Sequence, residues 1–234
     1  MIATMSIPRL LLTRLPAALF LVGLAATPAF AQRPLYGGID VGIIIPQDMK
    51  AKLSGALAGG GDISLNPAGA VAGYLGYDFS PLWSVEGEIG WSLYDPRRLS
   101  GAMTSGGTAL PALPLNGDFN TVYALATALY RPAGRLSRWS PYVGGGLGFA
   151  YRDWSMTTQQ SAATTLDLHD SALNLAATAV FGVDYRLTDR WSLGGRYRFL
   201  WINSDGGTLS GGGGVLTHSD AYLQLLTATI TYRF

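Results

Sequence analysis

The sequence predicts an all-β fold, an eight-stranded antiparallel up-and-down transmembrane β-barrel, from three observations. Composition comes first: 48% of the 234 residues are hydrophobic and only 13% are charged, against about 25% charged in a typical soluble domain. Second, no stretch after residue 31 offers 18 uninterrupted apolar residues, so the apolar excess is not written as a spanning helix. Third, segments in which apolar residues alternate with small or polar ones are joined by connections that are alternately short and long. Alternation with this loop pattern is how transmembrane strands are encoded.

The N-terminus accounts for part of the apolar excess. Arg9 and Arg14 form a basic start, residues 15–26 are apolar except at Pro16 and Gly23, and Ala29-Phe30-Ala31 precedes Gln32. A basic region, a short apolar core and a small-x-small triplet describe a cleavable secretory signal peptide over 1–31, leaving a barrel domain over 32–234. A membrane-anchoring helix is the competing reading, and the short core and the cleavage triplet argue against it. Removing residues 1–31 takes away two arginines and no acid, so the formal charge changes from +1 to −1. That balance gives no electrostatic basis for nucleic-acid binding. With no cysteine in the chain, disulfides, thiolate zinc sites and a lipoprotein anchor are excluded.

Eight strands are expected at 35–45, 68–79, 83–94, 120–130, 141–151, 172–186, 191–202 and 220–234, each long enough for the roughly 9–11 tilted residues that cross a bilayer. The first two, and those at 120–130 and 141–151, are rich in Gly and Ala, and their faces are not assigned by pattern alone. Strand 83–94 sets Trp83, Val85, Ile89, Trp91 and Leu93 against Ser84, Glu86, Glu88 and Ser92. Strand 172–186 sets Phe181, Val183 and Tyr185 against Thr178, Asp184 and Arg186. Strand 191–202 puts Trp191, Leu193, Tyr197, Phe199 and Trp201 on one face, and Arg196 and Arg198 on the other. A charge on the lipid face at mid-bilayer costs about 2–4 kcal/mol, so these arginines are expected inside. The last strand carries Tyr222, Leu226, Ala228, Ile230, Tyr232 and Phe234 outward, with Gln224 the polar exception.

Short connections are expected at Ser80-Pro81-Leu82, at 131–140 and at Thr188-Asp189-Arg190. Long ones are expected at 46–67, 95–119, 152–171 and 203–219. An even strand number then places both termini in the periplasm. A soluble lipocalin-like barrel would also alternate, but with its apolar residues inside. Here Trp83, Trp91, Trp191, Trp201 and Tyr222 stand at the ends of apolar faces, the expected interfacial aromatic girdle.

The terminal run Thr229-Ile230-Thr231-Tyr232-Arg233-Phe234 resembles the C-terminal signal of outer-membrane proteins. The resemblance implies that Ile230, Tyr232 and Phe234 are recognised by the barrel-assembly machinery. The stretch from Gly182-Val183-Asp184-Tyr185 through Asp189-Arg190-Trp191-Ser192-Leu193, continued by Tyr197-Arg198-Phe199, is similar to the penultimate hairpin of the OmpA-like and opacity-type outer membrane protein β-barrel family. Tyr74-Leu75-Gly76-Tyr77 with Trp83-Ser84, and Pro141-Tyr142-Val143-Gly144-Gly145-Gly146-Leu147-Gly148, extend the likeness. It implies residence in a Gram-negative outer membrane, with membrane lipid and lipopolysaccharide as partners. The peptidoglycan-binding domain of larger family members is not found after the barrel, so no direct cell-wall tether is expected.

Chemistry is sparse. Glu86, Glu88, Asp184, Arg186, Arg196, Arg198 and Asp40 are expected to form an acid–arginine network in the lumen, because an eight-stranded barrel is filled by side chains and buried charges must pair. The rival is a gated small-ion pore whose pairs exchange partners. Catalysis needs a nucleophile beside a base, and the two histidines, His169 and His218, both fall in or beside external loops. His169 and Ser171 would share one face of a strand, which sustains a lipid A acyl-hydrolase or acyltransferase as a lesser alternative. Two histidines on different loops suggest no metal site. Gly144-Gly145-Gly146 and the run 211–214 lack the following Lys and helix of a phosphate cradle. The expectation is a non-enzymatic surface protein without cofactor, contributing to envelope integrity. Its external loops, with Arg97-Arg98 their sole basic pair, would be available to a host or surface ligand in an adhesive or antigenic role.

Overall fold

The computed structural model describes residues 34–234 except 56, 106, 107, 111, 136, 162, 163, 205–207, 212 and 213. The signal-peptide expectation for 1–31 therefore lies outside the described residues. Among the described residues there are fifteen strands: β1 (Leu35–Pro46), β2 (Met49–Gly55), β3 (Leu57–Leu65), β4 (Ala68–Asp78), β5 (Trp83–Tyr94), β6 (Pro96–Ser105), β7 (Thr108–Leu110), β8 (Leu113–Pro114), β9 (Asn116–Tyr130), β10 (Trp139–Ser161), β11 (Thr164–Arg186), β12 (Trp191–Ile202), β13 (Thr208–Gly211), β14 (Gly214–His218) and β15 (Ala221–Arg233).

Eight of these close a barrel in the antiparallel order β1-β4-β5-β9-β10-β11-β12-β15, with β15 returning to β1. Closure is set by Ile39 opposite Ile230 on the β1–β15 seam and by the β10–β11 ladder, which starts at Trp139 opposite Tyr185. A closed sheet leaves no backbone donor unpaired toward lipid. Burial alternates strictly along β5, from an exposed Trp83 to a buried Tyr94. The exposed set is the apolar one, including Ile39, Leu147, Leu173 and Phe181, while Glu86, Glu88, Arg196 and Arg198 are buried. That polarity is the reverse of a soluble barrel's and matches a lipid-facing wall.

The short connections β4–β5, β9–β10 and β11–β12, with both strand termini Leu35 and Arg233, define one rim, called here the turn end. At the opposite loop end the sequence expectation needs correction. The stretches 46–67, 95–119, 152–171 and 203–219, expected as irregular loops, contain strands that continue the sheet. It runs from β11 through β13, β14, β2, β3 and β6 to β7, and β8 also joins β6. In particular β10 and β11 extend far past the expected 141–151 and 172–186. The physical reason is visible in β2: Met49, Ala51 and Leu53 are buried while Lys50, Lys52 and Ser54 are exposed. A period of two is present there, diluted by glycine and flanked by Pro46 and Gly59.

The interior is two-layered. Toward the loop end an apolar cluster combines barrel residues such as Ile44, Leu200 and Leu223 with cap residues such as Met49, Ile63 and Leu216. Toward the turn end the lumen is filled by tyrosines and charge.

Candidate functional site

The turn-end cluster is assembled from barrel strands by parity. Asp40 on β1, Glu86 and Glu88 on β5, Asp184 on β11, and Arg196 and Arg198 on β12 all occupy inward positions and are at most 6% exposed. Arg196 is the hub. Its Nη1 donates to Asp40 Oδ2 at 3.1 Å and Glu88 Oε2 at 3.2 Å, its Nη2 to Glu86 Oε2 at 2.9 Å, and its Nε to the Tyr142 hydroxyl at 3.0 Å. The guanidinium also lies 4.6 Å over the Tyr74 ring, where burial strengthens a cation–π contact. Arg198 pairs with both oxygens of Glu88. The Tyr36 hydroxyl donates to Glu86 Oε1 at 3.0 Å.

The remaining arginine is one that sequence reasoning missed. Arg131 is 1% exposed, and it binds Asp184 Oδ2 at 2.8 Å and approaches Glu86 Oε1 at 3.7 Å. It stands before Pro132 in a connection expected to be a turn, yet it keeps the inward parity of Leu129. Its backbone N–H donates to Leu82 O at 2.7 Å, which ties it to the barrel rim. Arg186, expected in this cluster, is a correction: it is half-buried at the last position of β11 and makes no ion pair among the described contacts. Inward parity brought Asp184 into the lumen, but two residues further on the barrel has ended. Asp40 Oδ1 is without a hydrogen-bond partner. It borders a cavity of about 10 Å³, room for about one water, with Tyr123, Arg198 and Thr227 among its lining.

A second polar group lies at the loop end. Arg152, inward on β10 and 1% exposed, donates from Nε to Asn174 Oδ1 at 2.9 Å and stacks 4.4 Å over the Trp154 ring. The Trp154 ring in turn contacts His218 of β14 at 5.1 Å. His218 is 3.9 Å from Asp170 and places Nδ1 3.0 Å from Ser219 O. Burial, helped by the charge of Arg152, lowers the His218 pKa against the opposing pull of Ser219 and Asp170. Nearby Asp220 is partly desolvated, but hydrogen bonds from the Ser204 backbone and the Trp201 indole hold its carboxyl below the usual range.

A closed, outward-apolar barrel of this kind has known relatives. The profile of the family described as "Outer membrane protein beta-barrel domain" matches residues 17–234. The chain belongs to this family. Solved structures similar to it include a major outer membrane protein from Thermus thermophilus, 16% identical, TM-score 0.51, covering 86% of this chain and 99% of that one. The outer membrane protein OprG from Pseudomonas aeruginosa is likewise 16% identical, with TM-score 0.50 and coverage of 87% and 98%. Neisserial surface protein A gives 16% identity, TM-score 0.46 and coverage of 86% and 97%. At such identities the first two likenesses speak for the fold alone. The comparison with curated proteins finds no significant match.

In this outer-membrane barrel the aromatic residues gather at the two rims. At the turn end a cross-strand pair joins each hairpin to the next strand round the barrel: Trp83 with Tyr130 at 5.0 Å, Trp139 with Tyr185 at 4.7 Å, and Trp191 with Tyr232 at 4.8 Å. Trp139 and Tyr130 were not singled out from sequence, and Tyr185 and Tyr232 were read as outward-facing but not as part of the girdle. At the loop end the Trp91 indole donates to Asn120 at 2.7 Å and the Trp201 indole to Asp220 at 3.0 Å. Tyr222 stacks on Phe199 at 5.9 Å. An apolar ring with a polar tip suits the membrane–water boundary. Gln224, the polar exception on the outward face, is half-buried and accepts from the Tyr197 hydroxyl at 3.0 Å. Of the C-terminal triad, Ile230 and Phe234 are exposed and Tyr232 packs against both Trp191 and Phe234.

The catalytic alternative finds little support in the geometry. His169 and Ser171 are exposed on the outer face of β11; His169 Nε2 lies 3.6 Å from Asp153 Oδ1, and Ser171 is the register partner of Asp153. No hydrogen bond joins His169 to Ser171 among the described contacts, so the base is turned to the acid and not to the hydroxyl. Nor do three or more His, Cys, Asp or Glu side chains gather as a metal site among the described residues.

Proposed function

We propose that this chain is a sealed, non-enzymatic barrel of the Gram-negative outer membrane that holds a folded β cap on the cell surface. The filling of the interior carries this reading. The charged layer around Arg196 occupies the turn-end half, and the apolar cluster linking Ile44, Leu200 and Leu216 occupies the loop-end half. A conducting path would have to open both layers, one by separating buried ion pairs and the other by wetting an apolar constriction. A rigid wall of this kind contributes to envelope integrity, and the cap strands supply a surface for adhesive or antigenic contact. Membrane lipid and lipopolysaccharide face the apolar wall. The C-terminal strand, ending at Ile230, Tyr232 and Phe234, is what the assembly machinery takes up. No cofactor enters the account.

Display is tested by labelling. The chain has no cysteine, so single-cysteine variants report cleanly. Lys52→Cys lies on an exposed position of β2, and Asp189→Cys on the exposed turn before β12. A membrane-impermeant maleimide should label Lys52→Cys on intact cells and Asp189→Cys only after lysis. Labelling of Asp189→Cys alone on intact cells would overturn the proposed orientation.

A further inference from the structure

Arg152 differs from the arginines of the turn-end cluster in one respect that matters energetically. Arg131, Arg196 and Arg198 each meet a carboxylate within ion-pair distance. Arg152 is equally buried, at 1% exposure, and meets none among the described contacts. Its one described hydrogen bond, to Asn174, satisfies Nε. Nη1 and Nη2 are both without a partner. Guanidinium does not escape by losing its proton, and an unpaired buried charge is among the costliest things a fold can contain. Asp170 and Asp220 favour its charge only from beyond ion-pair distance, which leaves the two Nη groups for something outside the chain to answer.

The surroundings say what. The Arg152 guanidinium is held by Trp154 on one face and by Asn174 at Nε, which leaves the Nη1–Nη2 edge of the fork. Two parallel N–H groups on that edge match a carboxylate or a single compact anion. The other orphaned atoms in this layer are the Trp154 indole Nε1 and His218 Nε2. Indole N–H is a donor only; His218, donating from Nδ1 to Ser219 O, keeps an acceptor at Nε2, but that atom is itself without a hydrogen-bond partner and so does not reach the fork. Of the two acids whose charges reach the guanidinium, Asp170 lies against His218 and Asp220 accepts from the Trp201 indole and the Ser204 N–H. We propose that Arg152 is the core of an anion site at the loop-end mouth of the barrel, taking a small monovalent anion, of carboxylate or halide type, across Nη1 and Nη2. His218 of β14 packs against the same Trp154 ring that carries the guanidinium, so occupancy of the site ties the cap to the barrel.

The test uses the full chain refolded in detergent micelles, with sodium formate and sodium bromide as probes in a low-anion zwitterionic buffer. The melting temperature of the wild type should rise with the logarithm of formate or bromide concentration. Arg152→Met keeps a long side chain on Trp154 and removes the charge. It should be flat to both anions, and in the low-anion buffer it should melt no lower than the wild type. Crystals grown in bromide give a readout that needs no variant: an anomalous peak within hydrogen-bonding reach of Nη1 and Nη2. Three outcomes overturn the proposal. These are an equal anion response in wild type and Arg152→Met, water alone at the fork in bromide crystals, or an anion-insensitive wild type that Asp170→Asn destabilises. The last would make Asp170 the counter-ion.

Discussion

Replacing Arg196 by Met removes the hub of the lumen while keeping an apolar stem of similar length. The consequence differs for each acid it holds. Glu88 retains Arg198, and Glu86 retains Arg131 at 3.7 Å. Asp40 loses its one described ion pair, the 3.1 Å contact to Nη1, and is left 2% exposed with both oxygens unanswered, since Oδ1 had no partner to begin with. Breaking a buried pair in this way costs about 3–5 kcal/mol. Adding Asp40→Asn to Arg196→Met removes the stranded charge and should recover about 1–3 kcal/mol, the size of coupling found between residues in one network. Urea unfolding of the refolded protein from phospholipid vesicles, for the wild type, both single variants and the double variant, gives all four corners of the cycle. A loss below about 1 kcal/mol for Arg196→Met, or strict additivity in the double variant, would refute the argument that this network is what fills and holds the lumen.

Three further outcomes are expected. On β5 a Cβ at Gly90 would come within 2.1 Å of the Tyr123 ring, whereas one at Gly87 would meet nothing within 4 Å. Gly90→Ala should therefore cost about 1–3 kcal/mol by overpacking, and Gly87→Ala nothing measurable in the same unfolding assay. Phe181→Arg places a charge on the lipid face at a position 57% exposed and should cost about 2–4 kcal/mol near the bilayer midplane; a neutral result in vesicles would argue against a lipid-facing wall. His218 has a folded pKa below its ordinary 6.5 because burial disfavours its charge. The unfolded cap therefore takes up a proton that the folded cap resists, so this stabilisation is complete above about pH 6.5 and declines as the pH falls below it. Proteolytic nicking of 208–218 should increase between about pH 7.5 and about pH 5.5 in the wild type, and the increase should shrink in His218→Gln.

The barrel was legible where both faces of a strand carry informative residues. Strands 83–94 and 191–202 match β5 and β12 in full, because tryptophans and charged residues sort to opposite faces there and their ends coincide with tight turns. The glycine- and alanine-rich strands were legible as strands but not as faces. On β10, Gly146 faces the β9 backbone closely enough that a Cβ would sit 2.3 Å from Ala126 O, and small residues carry no hydropathy signal to report such contacts. The cap was illegible for a related reason. Gly60 and Gly61 dilute the alternation of β3, and the long-range pairings of β14 with β2 and of β3 with β6 leave no local trace. In the lumen, parity found Asp40, Glu86, Glu88, Asp184, Arg196 and Arg198. It overran the barrel at Arg186 and stopped short of Arg131, both at the rim where turn and strand meet. Arg152 escaped because it was counted as a loop residue, and His218 was weighed only as a loop histidine and not as a buried residue of the cap.

The central claim is that both layers of the interior are closed. Single-channel recording of the full chain in planar bilayers tests it most directly. The account predicts no conductance steps for the wild type at any holding potential that the bilayer survives, with insertion verified independently by protease protection of the barrel strands. Reproducible unitary steps from the wild type that change in Arg196→Ala or Glu86→Ala would contradict it and establish a gated pore in its place.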